Sequence, residues 1–480
     1  MTDDFESITT KLLSNGFKDI LADGKVGIEK ESLRVTKSKI SRKKHQSSLG
    51  SALCHKHITT DFSEALLEFI TPPFVDKNAG LSFLDNIHHF VSHNIGEEII
   101  WPFSMPPFIE SDDQIPIASY GSSNLALFNT TYRNGLSHRY GRAMQAIAGI
   151  HFNYSLSEKI WSSEFFNNKQ KISSTQRSTI YFRMLRNLHR MNWLILFLFG
   201  ASPIVSKNFL SNRNTGFQKL DKHSYYLPYA TSLRMSDLGY QNIHQSNNLA
   251  VSFNSLQEYT FDLKHATETR CEDYQKIFEL VEIDHPQINS NILQIEDEYY
   301  SIARPKSSVE SNQRLIAKLN DTGVDYIELR SLDLNPFEKT GIDLETVYFL
   351  ELFLIYCMLK SSPPINEDEI VQIRQNDFLV ATKGRDTSLN LNNNQGEISL
   401  KDWANQILDE MMAIAEILDY KSATFKNIIQ KTTSKIMDPD QTLSGILLNK
   451  ILTEKMSFHE LGRNIGEDHK NQYLSMERTK

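Results

Sequence analysis

The chain has 480 residues, 40% of them hydrophobic, with a formal net charge of −8 and a sequence pI of about 6.0. This is enough apolar material for a large core, and the acidic balance gives no electrostatic reason to expect nucleic acid, which calls for a clustered basic surface. Three scattered cysteines without a CxxC pair exclude a disulfide-rich secreted fold. The N-terminus lacks the basic start and apolar core of a signal peptide. We therefore expect a cytoplasmic protein without a membrane partner.

The first 340 residues mix predicted strands and helices. Apolar residues alternate with period two in GIEKESLRV (27–35), ALLEFITP (65–72), GIHFNYSL (149–156) and YIELRSLDL (326–334), which predicts strands. Helical spacing occurs over 80–99 and 179–199. The most apolar stretch, 193–205, is too short to cross a bilayer and is interpreted as buried core. Polar stretches at 207–224, 306–313 and 384–397 predict surface loops.

The chain becomes mostly helical after residue 341. A predicted helix over 343–360 ends before the paired prolines of SSPPIN, which cannot continue it. Ser399, three residues before Asp402, has the pattern of an N-cap and opens the next helix. We expect a catalytic antiparallel-sheet region with packed helices over 1–340, and a helical C-terminal part over 341–480 packed on the same unit.

Carboxylates recur on single faces of the predicted strands. Residues i and i+2 of a strand share a face, so Glu29 and Glu31 lie on the same side of the first segment. The same rule places Glu68 in an apolar row with Leu66 and Ile70. Each segment alone is also explained by an antiparallel sheet with one face in water.

Two further segments carry other polar groups. His151 and Asn153 share one face of the third segment, and Glu328 and Arg330 share one face of the fourth. Asp61, in ITTDFSEALLEF, is by itself also explained as a turn or cap residue.

If these strands are neighbours in one sheet, their carboxylates converge. Like charges a few ångströms apart cannot all stay ionised, and a divalent metal resolves the conflict. Oxygen ligands without clustered cysteines favour Mg²⁺ or Mn²⁺ over structural zinc. Carboxylates, Mg²⁺ and a nearby arginine are the usual means of handling ATP phosphates. Because the chain has no GxxxxGK[ST] or GxGxxG loop, we expect a nucleotide to be bound through metal and side chains.

A collinear series of motifs between about residues 24 and 340 is distinctive. They are GIEKESLRV, LGSALCHKHITTDFSEALLEFITP, WPFSMP, YGSSN, YRNGLSHRYG, IAGIHFNYS, LFGASP, YYLPYATSLRMSDLGY, QINSNILQIEDEYY, ARPK and YIELRSLDLNPF. In this order they resemble the glutamate–cysteine ligase (γ-glutamylcysteine synthetase) family, of the type found in many proteobacteria. The C-terminal third resembles the family only loosely.

The resemblance implies an α+β fold of the glutamine-synthetase-like kind. In such a fold a curved, mainly antiparallel sheet forms a cradle, with helices on its outer face and a helical C-terminal part. The implied reaction joins the γ-carboxylate of L-glutamate to L-cysteine through γ-glutamyl phosphate, the first step of glutathione biosynthesis. ATP is the implied co-substrate and Mg²⁺ or Mn²⁺ the implied cofactor, and we expect a monomer whose partners are these small molecules.

The resemblance also implies roles for individual residues. Catalysis is assigned to Glu29, Glu328 and Arg330. Metal ligation is assigned to Glu29, Glu31, Asp61, Glu68, His151 and Glu328. Glutamate binding is assigned to Arg234, and the cysteine pocket to Phe62, Tyr132, Leu136, Gln145, Tyr240 and Tyr300. Phosphate or nucleotide contacts are assigned to Arg133, Lys306 and Arg330.

Several of these residues have simpler explanations on their own. A single histidine such as His151 is more often a hydrogen-bonded core residue than a metal ligand, and Mg²⁺ prefers oxygen. Arg234 is also explained by an ion pair with Asp237 at i+3. The pocket aromatics are explained by ordinary packing.

Two other functions remain open at this point. One is a related carboxylate–amine ligase on the same cradle that takes a different amine, because fold does not fix function. The other is a non-catalytic protein that binds a metal or nucleotide on the same acidic strands. Retention of both Arg234 and Arg330 argues against that second reading.

Overall fold

The structure, a computed structural model, describes residues 17–36, 39–162, 172–210, 216–239, 249–281, 285–308, 313–419 and 423–476. These residues combine many helices with strands that pair in antiparallel fashion. The mixture confirms the predicted class of helices with antiparallel sheet. Within the same ranges, no helix combines the length and the apolar character needed to cross a membrane.

The strands are named here in chain order. They are β1 (Lys25–Thr36), β2 (Lys39–Ile40), β3 (Ile58–Thr60), β4 (Leu66–Ile70), β5 (Ile99–Ile100), β6 (Ile150–Ser155), β7 (Ile204–Ser206), β8 (Gln218–Lys219), β9 (Ser224–Tyr226), β10 (Ala303–Lys306), β11 (Tyr326–Leu332), β12 (Asn390–Asn392) and β13 (Glu397–Ser399). The four strands predicted from alternating apolar residues are β1, β4, β6 and β11.

The central sheet has eight strands. Its main path runs in the order β10–β11–β6–β1–β4–β3, and β2 and β5 pair with the carboxyl end of β1. Glu29 on β1 lies opposite His151 on β6, and Glu31 lies opposite Glu68 on β4. Because directly opposed residues on neighbouring strands point to the same face, this register gathers the predicted polar residues on one side of the sheet.

The helices are also named in chain order. They are α1 (Lys18–Ala22), α2 (Lys77–Asn94), α3 (Asn124–Tyr140), α4 (Arg142–Gln145), α5 (Glu158–Trp161), α6 (Ser174–Phe199), α7 (Leu256–Glu268), α8 (Glu272–Leu280), α9 (Leu315–Thr322), α10 (Leu344–Leu359), α11 (Glu367–Lys383), α12 (Leu400–Leu418), α13 (Thr424–Met437), α14 (Leu443–Glu454) and α15 (Phe458–Leu474). Shorter 3₁₀ turns connect several of them.

Helices cover the apolar face of the central sheet. Ile28, Phe69, Phe152 and Leu329 point to this face and are at most 2% exposed. Helix α6 packs on β10 and β11, and it begins with a capping box in which Ser173 and Gln176 satisfy each other's backbone amides. Helix α10 is apolar on all sides because it is enclosed by α2, α6, α12 and α13. The packing of these helices on the apolar face stabilises the sheet, and the sheet in turn positions the side chains on its opposite face.

Two of the predicted loops contain short strands. The prediction for 384–397 is wrong over its second half, because β12 and β13 form a hairpin there. Its turn places Asn394 at φ 69° and Gly396 at φ 136°, conformations that these two residue types adopt at low cost. Within the predicted loop 207–224, residues 218–219 form β8, which pairs with β9.

The C-terminal helices contact the central sheet. Helix α15 packs on α2 and β5. The Tyr473 hydroxyl donates a hydrogen bond to Asp85 Oδ1 on α2 at 2.6 Å, and Lys470 Nζ donates to the carbonyl oxygen of Glu98 at 2.7 Å.

Candidate active site

The polar face of the central sheet collects charged side chains from five adjacent strands. The name polar face is used here for Glu68 on β4, Glu29 and Glu31 on β1, His151 and Asn153 on β6, Glu328 and Arg330 on β11, and Arg304 and Lys306 on β10. Glu328 lies opposite both Asn153 and Arg304 in the sheet register. Residues more than three hundred positions apart in the chain therefore meet in one site.

His151 stands at the centre of the carboxylates. Its Nδ1 lies 3.1 Å from Glu29 Oε2 and 3.5 Å from Glu328 Oε1, and its Nε2 lies 3.5 Å from Glu31 Oε1. Asn153 holds the other side of Glu29 by donating from Nδ2 to Oε1 at 2.9 Å. Glu31 Oε2 accepts a hydrogen bond from the backbone amide of Gly149 at 3.2 Å. The histidine is buried, with 5% of its surface exposed, but it is not an ordinary core residue because carboxylates surround it.

At the β1–β4 end of the polar face, acidic groups accumulate. Burial raises the pKa of Glu31, and the Asp61 carboxylate raises it further against the opposing effect of His151. The pKa of Glu68 lies well above its ordinary value because of burial and the charges of Glu29, Asp61 and Glu31. One ligand atom each from Glu29, Glu68 and His151 lie within 4.8 Å of one another. This end is short of positive charge.

At the β10–β11 end, cations surround a single carboxylate. Arg330 Nη1 donates to Glu328 Oε1 at 2.9 Å, and Lys306 Nζ lies 3.3 Å from Glu328 Oε2. Burial would raise the pKa of Glu328, but Lys306, Arg330, His151 and Arg304 together hold it well below its ordinary value. Burial opposes the charge on Lys306, yet Glu328 and Asp297 raise its pKa. The two ends of the polar face therefore carry charges of opposite sign.

Arg234 lies on a 3₁₀ turn, Leu233–Met235, beside the polar face. Its Nη2 donates to the carbonyl oxygen of Arg330 at 2.9 Å, and its Nη1 lies 3.6 Å from Asp333 Oδ1. Asp333 is buried and also accepts hydrogen bonds from the Ala201 amide at 2.8 Å and the Ser232 hydroxyl at 3.0 Å. This network positions the guanidinium. Asp333 was not among the predicted site residues, although it lies in the last motif, YIELRSLDLNPF.

Gly149 allows Arg234 to approach the sheet. A Cβ atom at this position would lie 2.2 Å from Arg234 Nη2. The same glycine donates its amide hydrogen to Glu31. A side chain at position 149 would therefore displace Arg234.

Helix α3 borders the acidic end of the face. Arg133 on α3 donates from Nε to the carbonyl oxygen of Asp61, and its guanidinium lies 4.8 Å from the centre of the Tyr120 ring. The Tyr120 hydroxyl donates to the carbonyl oxygens of Thr60 and Asp61 at 2.9 and 3.1 Å. Asp61 follows β3 directly. These contacts fix the turn that holds the Asp61 carboxylate.

The predicted cysteine-pocket residues are distributed unevenly. Gln145 Nε2 donates to the Tyr300 hydroxyl at 2.7 Å, and the charges of Asp61 and Arg330 act on that hydroxyl, which places it beside the polar face. Tyr132 is half-buried on α3, where its carbonyl oxygen accepts from Gln294 Nε2 at 3.3 Å. Phe62 and Leu136 are buried in the apolar core. Tyr240 lies outside the described residues.

The polar face combines a cluster of carboxylates, a group that can hold divalent cations, with arginine and lysine side chains, which can contact anionic groups. The glutamate–cysteine ligase family model matches residues 9–380 of the chain. The glutamate–cysteine ligase of Alcanivorax borkumensis is 41% identical over 467 residues, covering 95% of this chain and 89% of that protein. That of Aliivibrio fischeri is 43% identical over 429 residues, covering 88% and 82%.

Solved structures agree with these sequence matches. The crystal structure of the Francisella tularensis glutamate–cysteine ligase in complex with AMP superposes with a TM-score of 0.88 at 36% identity, covering 95% of this chain and 90% of that one. A bifunctional glutathione synthetase from Pasteurella multocida gives a TM-score of 0.77 at 25% identity, covering 97% of this chain and 55% of that one. The chain belongs to the glutamate–cysteine ligase family.

Proposed function

We propose that this protein joins the γ-carboxylate of L-glutamate to the amino group of L-cysteine at the expense of ATP, the first step of glutathione biosynthesis. The observation that carries the proposal is the charge division of the polar face, with carboxylates at the β1–β4 end and Arg330 and Lys306 at the β10–β11 end. Such a face can hold an anionic nucleotide beside divalent cations. The identity of the substrates is inferred from membership of the glutamate–cysteine ligase family.

The chemistry requires two displacements. A γ-carboxylate oxygen of glutamate attacks the γ-phosphorus of ATP, the bond to the β-phosphate oxygen breaks, and ADP leaves. The cysteine amine then attacks the acyl carbon of γ-glutamyl phosphate, loses a proton, and inorganic phosphate departs. Phosphorylation supplies the leaving group that a free carboxylate lacks. Neither displacement needs a covalent bond to the protein.

Arg330 and Lys306 are proposed to bind the phosphates. Both reactants of the first displacement are anionic, so the protein has to align them and offset the charge that spreads over the transferring phosphoryl group. The Arg330 guanidinium is already directed by Glu328, and its planar fork suits two phosphate oxygens at once. Arg133, held by the carbonyl oxygens of Asp61 and Asn129, is proposed as a further phosphate or nucleotide contact.

Arg234 is proposed to bind glutamate. Its guanidinium is only 2% exposed and is oriented by Asp333 and the Arg330 carbonyl oxygen. A pre-oriented arginine can receive a carboxylate without losing much side-chain entropy. The pair of Gln145 and Tyr300 is proposed as one wall of the cysteine pocket, with Tyr132 nearby on α3.

The residues of the polar face fit Mg²⁺ or Mn²⁺. The donor atoms are carboxylate oxygens, with one imidazole nitrogen at the centre. Burial and neighbouring carboxylates raise the pKa values of Glu31 and Glu68 in spite of the cationic groups near them, and a divalent cation would favour their charged forms. We propose Glu29, Glu31, Asp61, Glu68, His151 and Glu328 as the ligands. When bound, such ions offset the charge of the transferring phosphoryl group. Glu29 and Glu328 would then contribute to catalysis by holding these ions. The strands β1 and β11 fix the positions of the two carboxylates.

The architecture is proposed to be of the glutamine-synthetase-like kind. An antiparallel sheet with one polar face and one helix-covered apolar face supports this assignment. We also propose that residues 1–340 form the catalytic cradle and that 341–480 pack on it as one unit. The contacts of α15 with α2 and β5 support the second part.

The proposal is tested by measuring ADP formation with ATP, Mg²⁺, glutamate and a panel of amino acids. We expect cysteine to be preferred strongly over large apolar amines, since each misplaced methylene costs about 1–3 kcal/mol in a fitted pocket. Equal rates with cysteine and large apolar amines would instead favour a ligase for a different amine. Absence of ADP formation with every combination would favour a non-catalytic binder. Light scattering of the same preparation tests the expected monomer.

A further inference from the structure

A buried ion pair joins the end of α3 to the segment 287–298. Arg139 lies in the last turn of α3, and Glu298 ends the 3₁₀ turn Glu296–Glu298. Arg139 Nη1 donates to Glu298 Oε1 at 3.0 Å, and both side chains are fully buried. Tyr132 lies on the same helix, and Tyr300 follows Glu298 by two residues. The pair therefore connects the helix of Tyr132 to the segment that leads into Tyr300.

The Arg139 guanidinium holds the segment at several further points. Its Nε donates to Gln287 Oε1 at 2.9 Å, its Nη1 to the Asn291 carbonyl oxygen at 3.1 Å, and its Nη2 to the Asn289 carbonyl oxygen at 2.6 Å. Its plane also lies 4.1 Å from the centre of the Tyr274 ring. Only a guanidinium offers this many donors in a fixed geometry, so the position of the segment depends on this side chain.

The Glu298 carboxylate ties the same segment to α3 in the opposite direction. Its Oε1 accepts a second hydrogen bond from the Tyr140 hydroxyl at 2.7 Å, and its Oε2 accepts from the Gln294 backbone amide at 2.7 Å. The Gln294 side chain then donates from Nε2 to the carbonyl oxygen of Tyr132 at 3.3 Å. Gly135 allows this close approach, because a Cβ atom there would clash with Gln294 Oε1.

Tyr300 is held by the same group of residues. Its ring packs edge-on against the Tyr140 ring, with 6.1 Å between the ring centres, and its hydroxyl accepts from Gln145 Nε2 at 2.7 Å. Tyr140 thus contacts both Glu298 and Tyr300. A shift of the segment relative to α3 would move Tyr300 away from Gln145.

We propose that the Arg139–Glu298 pair positions the amine pocket, because it sets the separation of Tyr132 and Tyr300 and thereby the size of the amino acid that the pocket accepts. The inference rests on the proposed function, which assigns both tyrosines to the cysteine pocket. Apolar side chains of similar volume are often at least as stabilising as a buried ion pair, so stability alone does not account for this pair. Arg139 and Glu298 act through the tyrosines and are positioning residues.

The test uses Glu298→Gln, which keeps the shape of the side chain and removes its charge. Steady-state ADP formation gives the KM of each substrate. We expect the KM for L-cysteine to rise about tenfold, the low end of what one misfitted methylene costs in a pocket. The KM values for ATP and L-glutamate should stay within about twofold of the parent. The preference for L-cysteine over the larger L-valine, taken as the ratio of kcat/KM values, should fall about as much as the KM for L-cysteine rises.

The matched control is Glu351→Gln, which breaks another buried ion pair. Glu351 Oε1 on α10 lies 2.7 Å from Lys77 Nζ on α2, and the two side chains are 1% and 4% exposed. Both glutamine variants should lower the Tm, because each leaves a buried cation without its counter-charge. Only Glu298→Gln should change the selectivity. An equal rise of the cysteine KM in both variants, or a loss of kcat with every KM and the selectivity unchanged, would overturn the proposal.

A milder variant keeps the proposal testable if Glu298→Gln does not fold. Tyr140→Phe removes one hydrogen bond to Glu298 and leaves the ion pair in place. It should raise the cysteine KM about two- to threefold, the effect of one neutral donor, and unchanged selectivity would overturn the inference. Absence of ADP formation by the parent would overturn the proposed function and this inference with it. An active parent whose variants keep its selectivity would overturn this inference alone.

Discussion

Glu31 and Glu68 lie directly opposite each other on the adjacent antiparallel strands β1 and β4. Like charges in this arrangement are destabilising. Burial raises the pKa of both carboxyl groups, and for Glu68 the charges of Glu29, Asp61 and Glu31 add to the effect. The protein therefore keeps an unfavourable contact in its central sheet, which a bound cation would relieve.

Glu68→Gln is expected to stabilise the protein without metal and to impair the enzyme. In EDTA the Tm should rise because one member of the repelling pair loses its charge. The ligase rate should fall at least as far as the roughly 10–100-fold that the loss of an outer partner of a metal ligand costs. Added Mg²⁺ should raise the Tm of the parent more than that of the variant.

The matched control is Glu416→Gln, an exposed position on α12. It should change neither the Tm in EDTA nor the rate. A lower Tm for Glu68→Gln together with full activity would argue against a metal role for this residue.

Glu29→Gln is expected to separate activity from stability. The glutamine can still accept the hydrogen bond from Asn153 Nδ2, so the Tm should change little. Turnover should fall roughly 10–100-fold because a charged ligand is lost. Differential scanning fluorimetry and ADP release, measured on the same sample, check the two parts. Normal kcat in this variant would contradict the proposed role.

Asp333→Asn is expected to raise the KM for glutamate about 5–10-fold. A hydrogen bond to a charged group contributes about 1.5–3 kcal/mol, and only part of that free energy is expected to affect glutamate binding, because Asp333 acts through Arg234. The reason is that Asp333 orients Arg234. The KM for cysteine should stay unchanged. Ser232→Ala removes only one of the hydrogen bonds to Asp333 and should give a smaller effect in the same direction. A uniform loss of kcat with both KM values intact would indicate a structural role instead.

Asp377 on α11 makes the stability of the protein depend on pH. Burial raises the pKa of its carboxyl group from an ordinary 3.8 to about 7, while Asn192 Nδ2 donates a hydrogen bond to it at 2.9 Å. Because the folded-state pKa is the higher one, this group's contribution to stability is fully present below pH 3.8 and is lost as the pH rises through 7.

Asp377→Asn removes this titration, so its Tm advantage over the parent should grow between pH 5 and pH 8. Thermal melts across that range measure the difference. Asp409→Asn, an exposed position on α12, is the control and should follow the parent at every pH. Parallel curves for Asp377→Asn and the parent would show that the carboxyl group titrates normally.

The strand faces were predictable because alternation with period two needs only local sequence. Local alternation alone therefore assigns Glu29, Glu31, Glu68 and Glu328 to single faces of their strands. The order of the strands was not predictable in the same way, since nothing local says that β1 lies between β6 and β4. The resemblance to a known family implied a single curved sheet but not the order of its strands, which the structure provides.

The burial of a side chain was harder to predict than the face of the strand on which it lies. Glu64, a charged residue between β3 and β4, has no local signal for burial, but it is 6% exposed and accepts hydrogen bonds from the backbone amides of His45 and Ser119. Alternation with period two places Lys30 on the face opposite Glu29 and Glu31, but its burial depends on α15, more than four hundred residues away in the chain. Long-range packing of this kind leaves no local signal.

Strand β1 has consequences for how the protein moves. It pairs with β2, β4, β5 and β6 in turn along its length, with strands on both sides at Glu29, Lys30 and Val35. Further backbone hydrogen bonds to residues outside these strands hold much of the rest. Amides held in this way open only in rare, nearly global fluctuations, and we expect them to exchange with deuterium among the slowest in the protein. We therefore expect the strand that carries Glu29 and Glu31 to keep its position when substrates bind.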